Sequence, residues 1–398
     1  MLQTIANILF LLIFVYLACG VIYLLVVSIA GLIRTKKIFE PAEQKKSIAV
    51  IIPSYKEDNI IIDTASRAAT HNYPNEKFKV FVVADKLQPE TLIKLKAIPV
   101  EVVEVKFETS TKAKSLNAAL NQISQMGFDI VMILDADNIM KEGCLESVNA
   151  AFSQGAGAVQ CHRTAKNQHT AVAVLDAISE EINNHLFRKG QRAFGVSATL
   201  IGSGMAFTYH DISTIFNLPH ILSNPGEDRE VDIQLMLAGC QVEYADEAIV
   251  FDEKVSSSGV FEKQRVRWLE AQINHFKRFL QPDVQHAKKD LNYWSKFFQT
   301  LLLPRSLYIL AFVFFFFLLI VQWVFNIYFL YPAPAYWDLL MSLFVLSLLF
   351  AIPKSFYNQS TARALLHLPV LIIRMLKALF KVKSKRTEFL HTPKTFSS

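Results

Sequence analysis

What this chain lacks narrows its class before any motif does. Only four cysteines occur in 398 residues, Cys19, Cys144, Cys161 and Cys240, and no two are spaced Cys-x-x-Cys. That excludes a disulfide framework and a thiolate zinc site, and it fits a reducing cytosol. No internal repeat or low-complexity segment interrupts the chain. Charge is missing from two long stretches, residues 7–33 and residues 306–330, the second centred on Phe314 to Phe317. Both exceed the roughly 20 residues a helix needs to cross a bilayer. Having no charge inside them, they are poor candidates for a transport pathway. A third, shorter run from Leu339 to Ile352 is flanked by Tyr336, Trp337 and Tyr357, as interfacial aromatics would flank a span.

The first run has no basic segment before it and is too long for the apolar core of a signal peptide, about 7 to 15 residues. An uncleaved anchor is the expectation. Lysines and arginines outnumber acids by 41 − 35 = +6. They gather beside the apolar runs: Arg34, Lys36, Lys37, Lys45 and Lys46 after the first, Lys354 after the third, and Lys381, Lys383, Lys385 and Arg386 in the tail. The link from Leu330 to Asp338 has none. Positive-inside bias then puts residues 34–300 and the C-terminus in the cytoplasm of a multi-pass protein of the plasma (inner) membrane. Basic residues beside spans fit anionic lipid, and no basic stripe offers a nucleic-acid surface.

The expected organisation follows: a transmembrane anchor over 1–36, a cytoplasmic domain over 46–290, an interfacial helix over 291–304, two transmembrane helices over 305–354, and an amphipathic helix with a basic tail over 360–398. A fourth span over residues 364–380 is disfavoured, because Arg374 and Lys377 would each cost about 2.5 kcal/mol or more at mid-bilayer.

Within the cytoplasmic segment, strands and helices alternate. Ser47–Pro53, Lys79–Asp85, Val100–Phe107, Ile130–Asp135 and Val242–Phe251 read as strands. Residues 60–70, 112–126 and 228–238 read as helices, and Gly202–Phe207 as a turn entering a strand. This is an α/β pattern with a mainly parallel sheet, in which ligands bind beyond the carboxyl ends of the strands. Asp85, Asp135 and Asp137 fall at those ends.

Asp135-Ala136-Asp137 sets two carboxylates around one small residue, able to share a divalent ion and its hydration shell. Such a pair is also common in solvated loops. Asp85 is either a strand-end cap or an acceptor for a base or ribose. Glu227-Asp228 offers a carboxylate that can take a proton from an attacking hydroxyl, or that favours a helix N-terminus. Gln264, Arg267 and Trp268 fall at i, i+3 and i+4, so they share one helix face, with Arg265 directed elsewhere. A planar cation beside an indole suits a diphosphate and a sugar ring, although a solvated helix with a half-buried Trp would carry the same residues. Lys112 is either a phosphate contact or an exposed lysine at a helix start.

In order and spacing these elements resemble the family 2 glycosyltransferases, in the membrane-integrated branch of cellulose, chitin, hyaluronan and poly-N-acetylglucosamine synthases. The matching segments are Ile52-Pro53-Ser54-Tyr55-Lys56-Glu57, Asp85, Lys112-Ala113-Lys114-Ser115-Leu116-Asn117, Asp135-Ala136-Asp137, Gly202-Ser203-Gly204, Gly226-Glu227-Asp228 and Gln264-Arg265-Val266-Arg267-Trp268. The resemblance implies a GT-A fold, a nucleotide-sugar donor (a UDP-sugar first among them), Mg²⁺ or Mn²⁺, and inversion at the anomeric carbon. It implies that Pro53, Tyr55, Glu57 and Asp85 line the nucleobase and ribose pocket. Lys112 and Asp135 would hold the donor, with Asp137, and Asp135 beside it, at the metal. Asp228 would be the base, and Glu227, Gln264, Arg267 and Trp268 would form the acceptor and diphosphate end. Two departures stand out: Lys56 where the family usually has Asn, and Lys86-Leu87-Gln88-Pro89-Glu90 where a second acid is usual. The acceptor is expected to be a growing polysaccharide. Three spans are few for a polymer channel, which points to a dimer, a partner subunit, or single transfer to a lipid-linked acceptor. A non-catalytic membrane scaffold of the same fold is the alternative of another class.

Overall fold

The computed structural model describes residues 1–34, 37–224 and 226–383. Lys36, Lys385 and Arg386 of the basic clusters lie outside the described residues. The cytoplasmic segment forms an eight-stranded sheet: β1 (Ile48–Tyr55), β2 (Phe78–Asp85), β3 (Glu101–Val105), β4 (Ile130–Ile133), β5 (Ile139–Met140), β6 (Ala158–Ala165), β7 (Met205–Thr208) and β8 (Val242–Asp252). Their order across the sheet is β3-β2-β1-β4-β7-β6-β8-β5.

β1 is central because both its faces are apolar. Ile48, Val50 and Ile52 point into one core layer, and Ala49 and Ile51 into the other. Each of the three isoleucines is fully buried, which stabilises the fold by about 1.5–3 kcal/mol per side chain. β1 pairs in parallel with β2 and β4, and β2 with β3. β7 then runs antiparallel between β4 and β6. The chain therefore leaves β1 first toward β2 and later toward β4, and a crevice opens beyond the carboxyl ends at that reversal. Register pairs Tyr55 with Asp85, so the ends of β1 and β2 lie side by side.

β6 and the helix Ala171–Asn184 had no sequence expectation. Their buried positions mix polar residues with apolar ones: Gln160 is fully enclosed in β6 beside Val159 and Cys161, and Asp176, Glu180 and Glu181 are buried on the helix beside Val174, Ile178 and Ile182. Each of the polar ones finds a partner. Gln160 Oε1 accepts from the Ile201 amide at 3.1 Å. Arg163 Nη2 donates to Glu180 Oε2 at 3.0 Å, Lys254 Nζ donates to the same oxygen at 3.0 Å, and Arg265 Nη2 donates to Asp176 Oδ1 at 2.6 Å.

Three helices are long and apolar enough to cross a membrane: Leu2–Ile33, Arg305–Phe325 and Pro334–Ala351. The first packs closely on the second at Gly20, where any side chain would collide with Tyr308. Ser28 Oγ reaches the Ser347 carbonyl at 2.9 Å. Polar bonds tie this bundle to the sheet domain: Arg305 donates to Asn183 Oδ1 at 2.6 Å and to the Ser179 carbonyl at 2.9 Å, and Gln191 Nε2 donates to Tyr23 Oη at 2.6 Å.

The helix Leu291–Leu301 buries Tyr293, Lys296 and Thr300 and exposes Leu291 and Trp294. Lys296 pairs with Asp232 at 2.7 Å, inside the protein. The helix Leu368–Lys381 lies against Ser258–Arg278, with Met375 and Ala378 on Val266 and Leu269. Glu262 accepts from Arg374 at 3.0 Å and from Lys381 at 2.6 Å.

Candidate active site

The crevice is built at the ends of β1, β2 and β4. After β4 the chain turns through Asp135-Ala136-Asp137, and Asn138 fixes that turn. Its Oδ1 accepts from the Asp135 amide at 3.2 Å, while its Nδ2 donates to Asp137 Oδ1 at 3.3 Å and Asp252 Oδ1 at 3.1 Å. Asp137 is 4% exposed. Sequence reading passed over Asn138, although its place directly after the acidic pair was the available signal.

Lys112 opens the helix Lys112–Gln122, where Thr111 caps the end by accepting from the Lys114 amide at 3.1 Å. That start aims Lys112 into the crevice. Its Nζ donates to Asp135 Oδ1 and to the Gly202 carbonyl, both at 2.5 Å, and lies 3.8 Å from Glu227 Oε1. The reading as an exposed lysine is thereby corrected. Burial works against its charge, but Asp135, Glu227 and Asp228 outweigh it and hold its pKa up.

Gly202 has φ +84°, a left-handed backbone that favours glycine, and a Cβ there would sit 3.5 Å from Asp228 Oδ2. The acidic pair Glu227-Asp228 opens the helix Glu227–Leu237, where the amide ends favour negative charge. Gly226 occupies the cap itself, and Asp228 Oδ1 accepts from the Arg229 amide at 2.9 Å. Burial pushes the Glu227 carboxyl up to about 7, with Lys112 opposing and Asp228 reinforcing. Asp135, Lys112, Gly202, Glu227 and Asp228, scattered over more than a hundred residues of chain, therefore meet at one point.

At the other end, Asp85 is 1% exposed, and neither carboxylate oxygen has a hydrogen-bond partner among the described residues. Ser54 Oγ beside it is in the same condition. Pro53 and Tyr55 lie among the last residues of the strand β1, and Glu57 follows, its carbonyl accepting from the Ile60 and Ile61 amides.

Gln264, Arg267 and Trp268 occupy one helix, Ser258–Arg278. Gln264 Oε1 is buried without a hydrogen-bond partner among the described residues, Arg267 is half-buried, and Trp268 is 38% exposed. Arg265 differs from expectation. It stacks on the Trp268 ring at 4.1 Å and the Phe261 ring at 4.3 Å while pairing with Asp176. It thus fixes the indole from behind. Ala271, one turn beyond Arg267 and Trp268, is the part of this helix that approaches Gly226, which joins the motif to the Glu227-Asp228 turn. Arg163, absent from the sequence reading, donates to Ser203 Oγ at 3.2 Å and the Ile201 carbonyl at 3.3 Å, and so braces the Gly202 turn.

Residues 45–271 match the profile of the family described as "Glycosyltransferase like family 2", and the chain belongs to that family. Among curated proteins it is similar to an N-acetylglucosaminyltransferase of Rhizobium meliloti (strain 1021), 25% identical over 245 residues, or 58% of this chain and 57% of that one. It is also similar to a poly-beta-1,6-N-acetyl-D-glucosamine synthase of Staphylococcus aureus (strain MSSA476), 26% identical over 232 residues, or 57% of this chain and 54% of that one. The matched part is thus a little over half of each relative. Among solved structures, the mannosyltransferase PcManGT from Pyrobaculum calidifontis, determined with GDP-Man and Mn²⁺, superposes with a TM-score of 0.56 at 16% identity, covering 96% of this chain and 98% of that one. The fold is GT-A, as the resemblance had implied.

Proposed function

We propose that this chain is an inverting, metal-dependent glycosyltransferase that moves a sugar from a nucleoside-diphosphate donor to a saccharide acceptor at the cytoplasmic face of a membrane. The observation that carries this reading is the meeting of Asp135, Lys112, Gly202, Glu227 and Asp228 at the sheet's point of reversal. A cation that bridges two acidic segments beside a backbone turn suits a site where a diphosphate departs.

Among the described residues no three His, Cys, Asp or Glu side chains gather to hold a metal by themselves. Asp137, with Asp135 beside it, offers hard oxygen ligands that fit an ion completing its shell with water and substrate phosphates. Bound there, such an ion supplies positive charge against the leaving diphosphate.

The chain's own residues supply the rest. Pro53, Tyr55, Glu57 and Asp85 form the nucleoside end. Lys112 holds the donor phosphates, with its position set by Asp135. Asp228 accepts the proton of the attacking hydroxyl as it closes on the anomeric carbon. Gln264 and Arg267 hold the diphosphate end, Glu227 stands between the two, and Trp268 presents a stacking floor to the acceptor ring. The curated relatives are named for N-acetylglucosamine transfer, which favours an N-acetylhexosamine added to a growing polysaccharide. Mg²⁺ or Mn²⁺ is the expected ion. Residues 291–304 lie at the membrane surface, and the basic flanks keep the sheet domain cytoplasmic.

The test is turnover by the purified full chain in lipid nanodiscs, with Mn²⁺ and a panel of sugar nucleotides, followed by sizing of the product. Asp228→Asn is expected to lower transfer by roughly 10²–10⁴-fold and leave donor binding within about twofold. Retained turnover would remove Asp228 from the role of base. A single-addition product on lipid would replace the polysaccharide reading with the lipid-linked one.

A further inference from the structure

Two turns past Trp268, the helix Ser258–Arg278 walls a small cavity lined by none of the residues assigned above to transfer. This helix contributes Asn274, His275 and Arg278, and the turn and helix start opposite contribute Asn224, Arg229 and Glu230. The cavity, of about 50 Å³, has room for about three to five waters. Its carboxylate is already engaged. Glu230 Oε1 accepts from Arg278 Nε at 3.0 Å and from Gln234 Nε2 at 2.9 Å, and it lies 3.1 Å from His220 Nε2. Asn224 Oδ1 accepts from the Gly226 amide at 2.9 Å. Donors remain. Arg278 is shared between Glu230 and Asp283, but Arg229 forms no ion pair among the described residues. The Asn224 amide nitrogen and the exposed Asn274 side chain form no hydrogen bond among the described residues. His275 is 7% exposed, and its Nδ1 is buried with no hydrogen-bond partner among the described residues. Burial first, then Arg229, Lys296 and Arg278, hold that imidazole well below its usual range, so the ring is neutral in a positive field.

We propose that this cavity is an oxyanion site, taking a phosphate group borne by the acceptor or free in solution, apart from the place where the donor diphosphate departs. That the group arrives on an acceptor rests on the transferase reading given above. Arg229 offers a planar fork of N–H groups that fits phosphate oxygens in pairs. An ionised oxyanion brings acceptors only, which matches the unengaged N–H groups of Arg229 and Asn224. A metal cation would face the Arg229 charge, and a sugar hydroxyl would bring a donor to a cavity whose carboxylate is taken. An anion also offsets the positive field around His275. Its position follows the acceptor face. Gln264, Arg267, Ala271, Asn274 and Arg278 recur at i, i+3, i+7, i+10 and i+14, so they form one stripe of the helix. Trp268 stands two to three turns from His275 and Arg278, or about 10–15 Å along the axis. A ring on Trp268 and a phosphate in the cavity can therefore belong to one acceptor. Arg229 joins the cavity to the proposed base as well, since its amide donates to Asp228 Oδ1 at 2.9 Å.

The test is calorimetric titration of inorganic phosphate, and separately of geranyl phosphate, into the full chain in nanodiscs without metal, with empty nanodiscs as the reference. The native chain, Arg229→Met and Asn274→Asp are compared. The native chain is expected to show one saturable site. Arg229→Met should weaken it by about tenfold or more, and Asn274→Asp, which sets a like charge at the rim, by about threefold or more. Binding of UDP with Mn²⁺ should stay within about twofold in both variants, and saturating UDP with Mn²⁺ should leave the native phosphate affinity within about threefold. If Arg229→Met also loses UDP, the exposed Asn274 position alone decides. Geranyl phosphate bound about tenfold or more tightly than inorganic phosphate, with the same dependence on Arg229, would assign the site to the acceptor, and a smaller ratio would assign it to free phosphate. No saturable binding of either probe, or affinities unchanged in both variants, would overturn the site. Phosphate displaced by UDP would overturn it too, because the anion would then belong to the donor's place. None of these three results touches the transferase reading, which stands or falls on turnover.

Discussion

Glu227 is a residue whose environment makes a signed prediction. Its carboxyl is raised from 4.5 to about 7, chiefly by burial and secondarily by Asp228. A raised acid disfavours the folded state once it ionises, so stability is full below about pH 4.5, falls as pH rises toward 7, and is flat above. Glu227→Gln removes that dependence. Its stability relative to the native chain should improve between pH 5 and pH 8 by up to about 3 kcal/mol, measured by denaturant unfolding at both pH values. Trp268 makes a second prediction. Trp268→Ala should weaken acceptor use by roughly tenfold or more while donor hydrolysis changes little, since loss of a stacking floor costs about 1–3 kcal/mol at the acceptor alone. Equal losses in both would count against the stacking role. Arg265 was legible as charged but not as the brace behind that indole, because its partner Asp176 is 89 residues away and no local pattern links them.

At the scale of elements, what could be read from the sequence was whatever is apolar by period. β1, β2 and β4 are buried on both faces, so their runs of Ile, Val and Ala announce themselves, and the acids at their ends fall where a parallel sheet places ligands. β6 and the Ala171–Asn184 helix were not legible for the opposite reason. Their apolar interior positions are interrupted by Gln160, Arg163, Asp176, Glu180 and Glu181, and the charges of Glu180 and Asp176 are met by Lys254 and Arg265 from elsewhere in the chain. Burial opposes the charge of Lys254, and Asp252 with Glu180 more than restores it. Removing it leaves Glu180 with one fewer cation in a closed site. Lys254→Met should therefore cost about 3–5 kcal/mol in unfolding measurements, the scale for breaking a buried pair from one side.

For the molecule as a whole, the C-terminal helix is part of the transferase and not an appendage. Glu262, two residues ahead of Gln264, receives Arg374 and Lys381, and Met375 packs on Val266. Glu262→Gln should loosen this helix. Trypsin cleavage at Lys377 and Lys381 should accelerate severalfold while nucleotide binding stays within twofold. Unchanged cleavage would show that the apolar contacts alone hold the helix.

The bonds from Arg305 to Ser179 and Asn183, and from Gln191 to Tyr23, have a consequence for which substrates can be used. They join the apolar helices to the sheet domain by side chains from both, so that under the proposed function the height of the site above the lipid would be held by these contacts. If the proposed acceptor is anchored in a bilayer, its terminal hydroxyl would have to stand at that height. Chain length would then be measured by the architecture itself.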